Sequence, residues 1–96
     1  SRVESYLLAD RGYCNASLNR LEHARLDVEA AAQAIGESTQ IDDRAATYSR
    51  ISQVYSIIGN DDIASCYSEL ARVSWVEFSQ LQQKFVEVLL PLSNDA

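Results

Sequence analysis

The sequence predicts an all-α protein: a three-helix up-down-up bundle with two long overhanging helices, completed by dimerisation. Apolar residues recur at the spacing of an amphipathic helix along nearly the whole chain of 96 residues. No alternating run of β-branched residues is bounded by turn residues, as a strand would require. Gly36 and Gly59 are expected to adopt positive φ just past helix ends, and Pro91 is expected to end the last helix. The single domain spans residues 1–96 and is either complete or a fragment of a larger protein.

The first helix is predicted over residues 2–35. Its apolar stripe repeats every seven residues and consists of Leu7, Cys14, Leu21, Val28 and Ile35. The opposite side is expected to face solvent and consists of Asn15, Arg20, Glu22, Asp27 and Glu29. Gly12 lies inside this helix, where glycine costs about 1 kcal/mol relative to alanine. A kink at Gly12, or a short separate first helix, is therefore the alternative.

The second and third helices are predicted over residues 42–58 and 61–90. Ser38 or Thr39 is expected to cap the second helix, and Asn60 the third. Each helix begins with a pair of aspartates, a charge that the N-terminal end of a helix favours. These residues are Asp42, Asp43, Asp61 and Asp62.

The charge balance weighs against nucleic acid and membrane partners. Fourteen acidic residues against eight basic ones give a net charge of −6, with a single lysine and no cluster of arginines. Duplexes and anionic lipid surfaces attract basic patches, so neither is expected to bind this segment alone. No apolar run approaches the roughly 18 residues that a membrane-spanning helix needs. Cys14 and Cys66 are too few for a disulfide scaffold, and we expect reduced, buried thiols in a cytoplasmic protein.

No catalytic, metal-binding or cofactor-binding residues are predicted. His23 is the only histidine, and no serine or cysteine has a base at a spacing typical of nucleophilic catalysis. No Glu-x-x-His or Cys-x-x-Cys pair could ligate a metal, and no glycine-rich loop could hold a phosphate. Nothing in the sequence indicates a small-molecule ligand.

Two helical families share parts of this pattern. Residues 48–71 have spacings similar to a tetratricopeptide repeat, but the helix after Gly59 is predicted to run for roughly thirty residues, about twice the repeat's second helix. The segments "AAAQAIGES", "YSRISQVYSII" and "SELARVSWVEFSQLQQKFVEVLLPL" resemble the helical BAR region of sorting nexins, in which a long helix ends near an Ile-Gly or Leu-Gly pair. That resemblance implies a role in membrane trafficking through a basic concave face. This chain has no matching cluster of lysine or arginine, so no functional residue is carried over.

The helix lengths predict where a partner binds. At 1.5 Å per residue the first and third helices would be about 50 and 45 Å long, against about 25 Å for the second. The start of the first helix and the end of the third therefore overhang at opposite ends, and large exposed apolar stripes usually mark interfaces. The predicted interface residues are Val3, Leu7, Leu8, Cys14, Trp75, Phe78, Leu81, Phe85, Val88 and Leu89.

These observations predict a non-enzymatic protein–protein interaction module and scaffold. It would self-associate as a homodimer through coiled-coil-like helices, or dock helices of a parent or partner protein. A sorting-nexin-like BAR segment is one alternative. An adaptor that binds a partner helix in a groove is another.

Overall fold

The computed structural model describes residues 4–36 and 39–94, with side chains described as far as residue 90. In this part of the chain all the regular structure is α-helical, which confirms the predicted fold class. There are four helices rather than three: α1 (Ser5–Ser17), α2 (Leu21–Ala34), α3 (Ile41–Ile58) and α4 (Asp61–Asn94).

The predicted first helix is wrong, because residues 18–20 break it into α1 and α2. Asn19 has φ of 62°, a left-handed conformation that asparagine tolerates better than most residues. The amide of Asn19 donates to the carbonyl of Ala16, and that of Arg20 donates to the carbonyl of Asn15. These bonds satisfy carbonyls at the end of α1, and the chain reverses so that α2 packs antiparallel against α1.

Gly12 lies inside α1 and allows its close approach to α2. A β-carbon built at Gly12 would lie 3.0 Å from Val28 Cγ1 and 3.3 Å from Asp27 Cβ. Small residues line the rest of this buried face of α1; they are Ser5, Ala9 and Ala16. The glycine that weakens the helix in isolation is therefore the point where the two helices pack most closely.

The core lies where α3 packs against the α1–α2 hairpin. Val28 on α2 and Ile51 and Val54 on α3 are fully buried. Alanines from several helices complete the cluster; they are Ala9, Ala16, Ala24, Ala31 and Ala64. With so many small side chains the core is thin, and the helices lie close together.

Helix α4 begins at a tight turn and packs antiparallel to α3. Gly59 has φ of 95°, as predicted, and the amide of Asn60 donates to the carbonyl of Tyr55 in a Schellman arrangement. Asn60 Oδ1 accepts a bond from the amide of Ile63, which confirms the predicted cap. Farther along, the ring of Tyr67 stacks on that of Tyr55 at 5.8 Å. In the described part of the chain the backbone of α4 approaches that of α3 alone.

Three predicted helix ends need correction. Gly36 does not adopt positive φ: α2 ends at Ala34, and the next residue, Ile35, is extended. Thr39 accepts a hydrogen bond from the Gly36 amide instead of capping α3. Ser38 lies outside the described residues. Gln40 precedes α3 without a side-chain cap, although Asp42 and Asp43 do lie in its first turn. Pro91 does not end α4, which continues to Asn94, because a proline inside a helix can distort the helix without ending it.

Candidate functional site

One apolar face runs along most of α4. Its first part packs against α3, and its last part is exposed. Its members follow an alternating spacing of three and four residues, the pattern of a coiled-coil seam. We call them the heptad face: Ala64, Tyr67, Ala71, Ser74, Phe78, Leu81, Phe85 and Val88. Ala64, Ala71 and Ser74 are buried, and Tyr67 and Phe78 are half-buried.

Helix α3 covers only the first part of the heptad face. Ile41, the first residue of α3, shares a shallow groove with Glu77 and Leu81 of α4. Beyond that level no other helix in the described chain accompanies α4. We call residues 81–94 the overhang; at 1.5 Å per residue they extend about 20 Å past α3.

The overhang exposes large apolar side chains. Phe85 is 59% and Val88 64% exposed, although both continue the heptad face that α3 buries farther up the helix. Other apolar side chains of the overhang are also about half exposed: Leu81, Val86, Leu89 and Leu90. Helices that are apolar on most sides are normally buried. The overhang therefore has the composition of a buried helix, although its apolar side chains are exposed.

The predicted C-terminal interface residues are thus accessible. Leu81, Phe85, Val88 and Leu89 lie together on the overhang. Trp75 is 43% exposed and lies just before it, with its ring edge-on to that of Phe78 at 6.1 Å.

The predicted N-terminal overhang does not exist, because α1 folds back on α2. Leu8 is partly buried against the core, so less of its side chain is accessible than the prediction supposed. Leu7 and Cys14 are exposed on α1, whose backbone does not approach that of α4, so they do not join the surface on the overhang. Val3 lies outside the described residues.

Both cysteines differ from the expectation of burial. Cys14 and Cys66 are free and exposed. They lie on α1 and α4, two helices whose backbones do not approach each other.

Sequence reasoning missed Val76 and Val86, which are 44% and 50% exposed on α4. Both lie off the heptad face, so a search for one periodic stripe does not select them. The signal that finds them is composition: six of the ten residues from 81 to 90 are apolar, more than one stripe requires.

A polar cluster of a different kind joins α1 to α2. Asp27, which was expected to face solvent, is 6% exposed. Its Oδ1 accepts bonds from Arg11 Nε at 3.0 Å and from an Arg11 terminal nitrogen at 2.7 Å, and its Oδ2 accepts one from Asn15 at 2.7 Å. The bond to Asp27 raises the pKa of the Arg11 guanidinium. Because each carboxylate oxygen of Asp27 accepts at least one hydrogen bond from α1, this cluster holds the hairpin of α1 and α2 together.

Most arginines in the described chain are neutralised by nearby carboxylates. Arg50 pairs with Asp10 at 3.2 Å across α3 and α1 and lies 4.4 Å from the centre of the Tyr13 ring. Arg25 bridges Glu22 and Glu29 on α2, and its hydrogen bond lowers the pKa of Glu22.

On α4, Arg72 pairs with Glu69 at 2.6 Å and in the same way lowers the pKa of that glutamate. Because each of these arginines is paired with a nearby carboxylate, they do not form a basic surface patch.

Across residues 4–36 and 39–94, histidine, cysteine and acidic side chains do not gather in threes at a point where a metal ion could bind. No helix in the same residues combines the length and apolar character needed to cross a membrane. No protein-family model matches the chain, and neither the curated proteins nor the solved structures contain a match.

Proposed function

We propose that this protein is a non-enzymatic helical interaction module that self-associates through the overhang. The observation that supports this proposal is the continuity of the heptad face. The same spacing that packs against α3 at Ala71 and Ser74 continues through Leu81, which lies at the level of Ile41, into Phe85 and Val88, which lie beyond α3. A helix seated on these residues would give them the environment that the earlier part of the face already has.

The amount of apolar surface indicates a concentration-dependent dimer. Fully burying a large apolar side chain contributes about 1.5–3 kcal/mol, and about half of that remains to be gained for a side chain that is half exposed. Four such residues per copy, Leu81, Phe85, Val88 and Leu89, give about 8 kcal/mol for two copies. Association costs about 4–15 kcal/mol. The two quantities are of the same size, so we expect a reversible dimer and not a permanent one.

The charge of the overhang also favours a second copy. Between residues 81 and 94 there is one lysine, Lys84, and one glutamate, Glu87, so this segment has no net charge while the whole chain carries −6. Two overhangs therefore approach each other without the repulsion that the rest of the surface would produce. The exposed free thiols are compatible with a reducing compartment, so a cytoplasmic location remains part of the proposal.

The test is the mass of the protein in solution as a function of concentration. Light scattering from micromolar to millimolar protein should show a monomer–dimer equilibrium for the wild type. Replacing Phe85 with glutamate should abolish the dimer and leave the α1–α3 core folded, because Phe85 touches none of it. Unpaired, the overhang should also lose helicity, which circular dichroism measures.

Leu26→Glu is the matched control, because Leu26 is also a large apolar residue that is about half exposed, and it lies on α2, whose backbone does not approach that of α4. This variant should dimerise like the wild type. A wild-type chain that stays monomeric at millimolar concentration would refute self-association. The heptad face would then be left for an amphipathic helix of another protein, the adaptor alternative.

A further inference from the structure

We infer that two copies pair antiparallel through their overhangs. In this arrangement α4 of each copy lies end to end with α3 of the other copy. This inference rests on the proposed self-association and names its geometry. It makes the dimer a rod that carries its two helical cores at opposite ends.

The position of α3 decides the direction. Helix α3 covers the heptad face as far as Phe78, and its first residue, Ile41, lies near Glu77 and Leu81. A partner helix that packs on the uncovered residues of the heptad face must therefore lie on the same side of α4 as α3, beyond Ile41. Packed helices lie about 8–10 Å apart. In a parallel pair, the α3 helices of both copies would have to fit between two α4 helices at that separation. There is no room for them.

An antiparallel pair has no such conflict. The second copy's α3 then lies beyond Asn94, the end of the first copy's α4, and the first copy's α3 lies beyond the end of the second copy's α4. Charge favours the same arrangement. The overhang is neutral, whereas residues 1–80 of each copy hold 12 acidic and 7 basic residues, a net charge of −5. Antiparallel pairing separates residues 1–80 of the two copies by more than the Debye length of about 8 Å.

The heptad positions also select a register. A coiled-coil seam alternates between a and d positions, and in an antiparallel pair each a position faces a d position of the other helix. Phe85 of each copy therefore lies against Val88 of the other copy. The centre of the dimer then lies between residues 86 and 87. A register one heptad nearer the core has its centre at residue 83, which brings the two copies of Lys84 within two residue positions of each other along the axis. It would also require Phe78, which α3 already half covers, to pack on Val88 of the second copy.

Cys66 is a natural reporter of this geometry, because it is exposed on α4 about twenty residues before the centre. The experiment uses the Cys14→Ser variant with a nitroxide spin label on Cys66, and pulsed electron paramagnetic resonance measures the label-to-label distance. At 1.5 Å per residue the antiparallel register predicts about 60 Å. Adding Phe85→Glu to the labelled chain should remove this distance.

The outcomes separate the two proposals. A dimer with a label distance below about 30 Å would overturn antiparallel pairing, because in a parallel pair both labels lie at the same level. A distance near 50 Å would overturn the register, since one heptad shortens the span by about 10 Å. Failure of self-association itself would appear earlier, as a monomeric mass by light scattering and no intermolecular distance.

Discussion

At the scale of single residues, Asp27 shows how a charged side chain becomes part of the interior. Its carboxylate is removed from water by the close packing of α1 on α2, and three hydrogen bonds from Arg11 and Asn15 replace the lost hydration. Arg11 keeps most of its side chain in solvent, so only the anion is buried. Removing the carboxylate therefore leaves no buried cation behind.

We expect Asp27→Ala to lower the free energy of unfolding by about 1.5–3 kcal/mol, the size of a lost hydrogen bond to a charged group. Urea denaturation measures this change. Asp10→Ala is the control, because Asp10 also pairs with an arginine of another helix, Arg50, but at the surface. Exposed ion pairs contribute about 0–1 kcal/mol, so the control should change stability little. Equal effects of the two substitutions would show that the burial of Asp27 is unimportant.

Gly12 is the other residue whose role depends on its neighbours. Alanine in its place would gain about 1 kcal/mol of helix propensity but would overpack Val28 and Asp27, and overpacking costs about 1–3 kcal/mol. Asp27 Cβ and the carbonyl of Ala24, 3.4 Å away, belong to the helix framework and cannot rotate aside. We therefore expect Gly12→Ala to destabilise the protein by about 1 kcal/mol.

Two further variants check this explanation by thermal or urea unfolding. Gly36→Ala should be neutral or stabilising by about 0.4–1 kcal/mol, because a β-carbon there meets nothing within 4 Å. In a chain that also carries Val28→Ala, Gly12→Ala should lose much of its cost, since the nearest clashing methyl is gone. If Gly12→Ala is stabilising in the wild type, the close approach of α1 and α2 is not what requires glycine.

At the scale of helices, α4 consists of two segments with different surroundings. Its first half uses small residues, Ala64, Ala71 and Ser74, which let α3 approach closely. In the overhang the same heptad face carries Leu81, Phe85 and Val88 instead. Large seam residues suit a longer reach to a separate helix, which agrees with the proposed pairing of two overhangs. The substitution of Phe85 described above tests this division, because it should affect the overhang and spare the α3–α4 contact.

At the scale of the whole molecule, the surface is acidic and its arginines are largely paired. Arg11, Arg25, Arg50 and Arg72 each bond to a carboxylate. Attraction to an anionic lipid surface depends on clustered basic side chains, each contributing about 1 kcal/mol. Because these four arginines are paired locally, they do not supply the clustered free cations that such a lipid surface attracts.

We therefore expect no salt-sensitive binding to vesicles that contain phosphatidylserine. Co-sedimentation at low and high salt measures it, with neutral phosphatidylcholine vesicles as the comparison. Binding to the anionic vesicles alone, lost at high salt, would favour the sorting-nexin alternative over the interaction module. Binding to both kinds of vesicle would instead indicate that the apolar overhang inserts into lipid.

The sequence by itself determined the helical class, the C-terminal end of α3 and the start of α4. It also determined the apolar C-terminal segment that forms the overhang. These features depend on residues a few positions apart: a period near 3.6, a glycine that adopts positive φ at Gly59, and an asparagine whose side chain reaches the third residue beyond it. Such interactions form whatever the rest of the chain does, so pattern alone reveals them.

Only the tertiary structure decided three features: the hairpin of α1 and α2, the burial of Asp27, and the part of the heptad face that α3 does not cover. The periodicity of residues 2–35 fits one helix as well as two. The break at Asn19 is favoured because it lets Gly12 meet Val28, a contact between residues sixteen positions apart. That contact also moves Asp27 from the expected solvent side into the interior. Packing between distant residues chose among local structures that the sequence pattern alone could not distinguish.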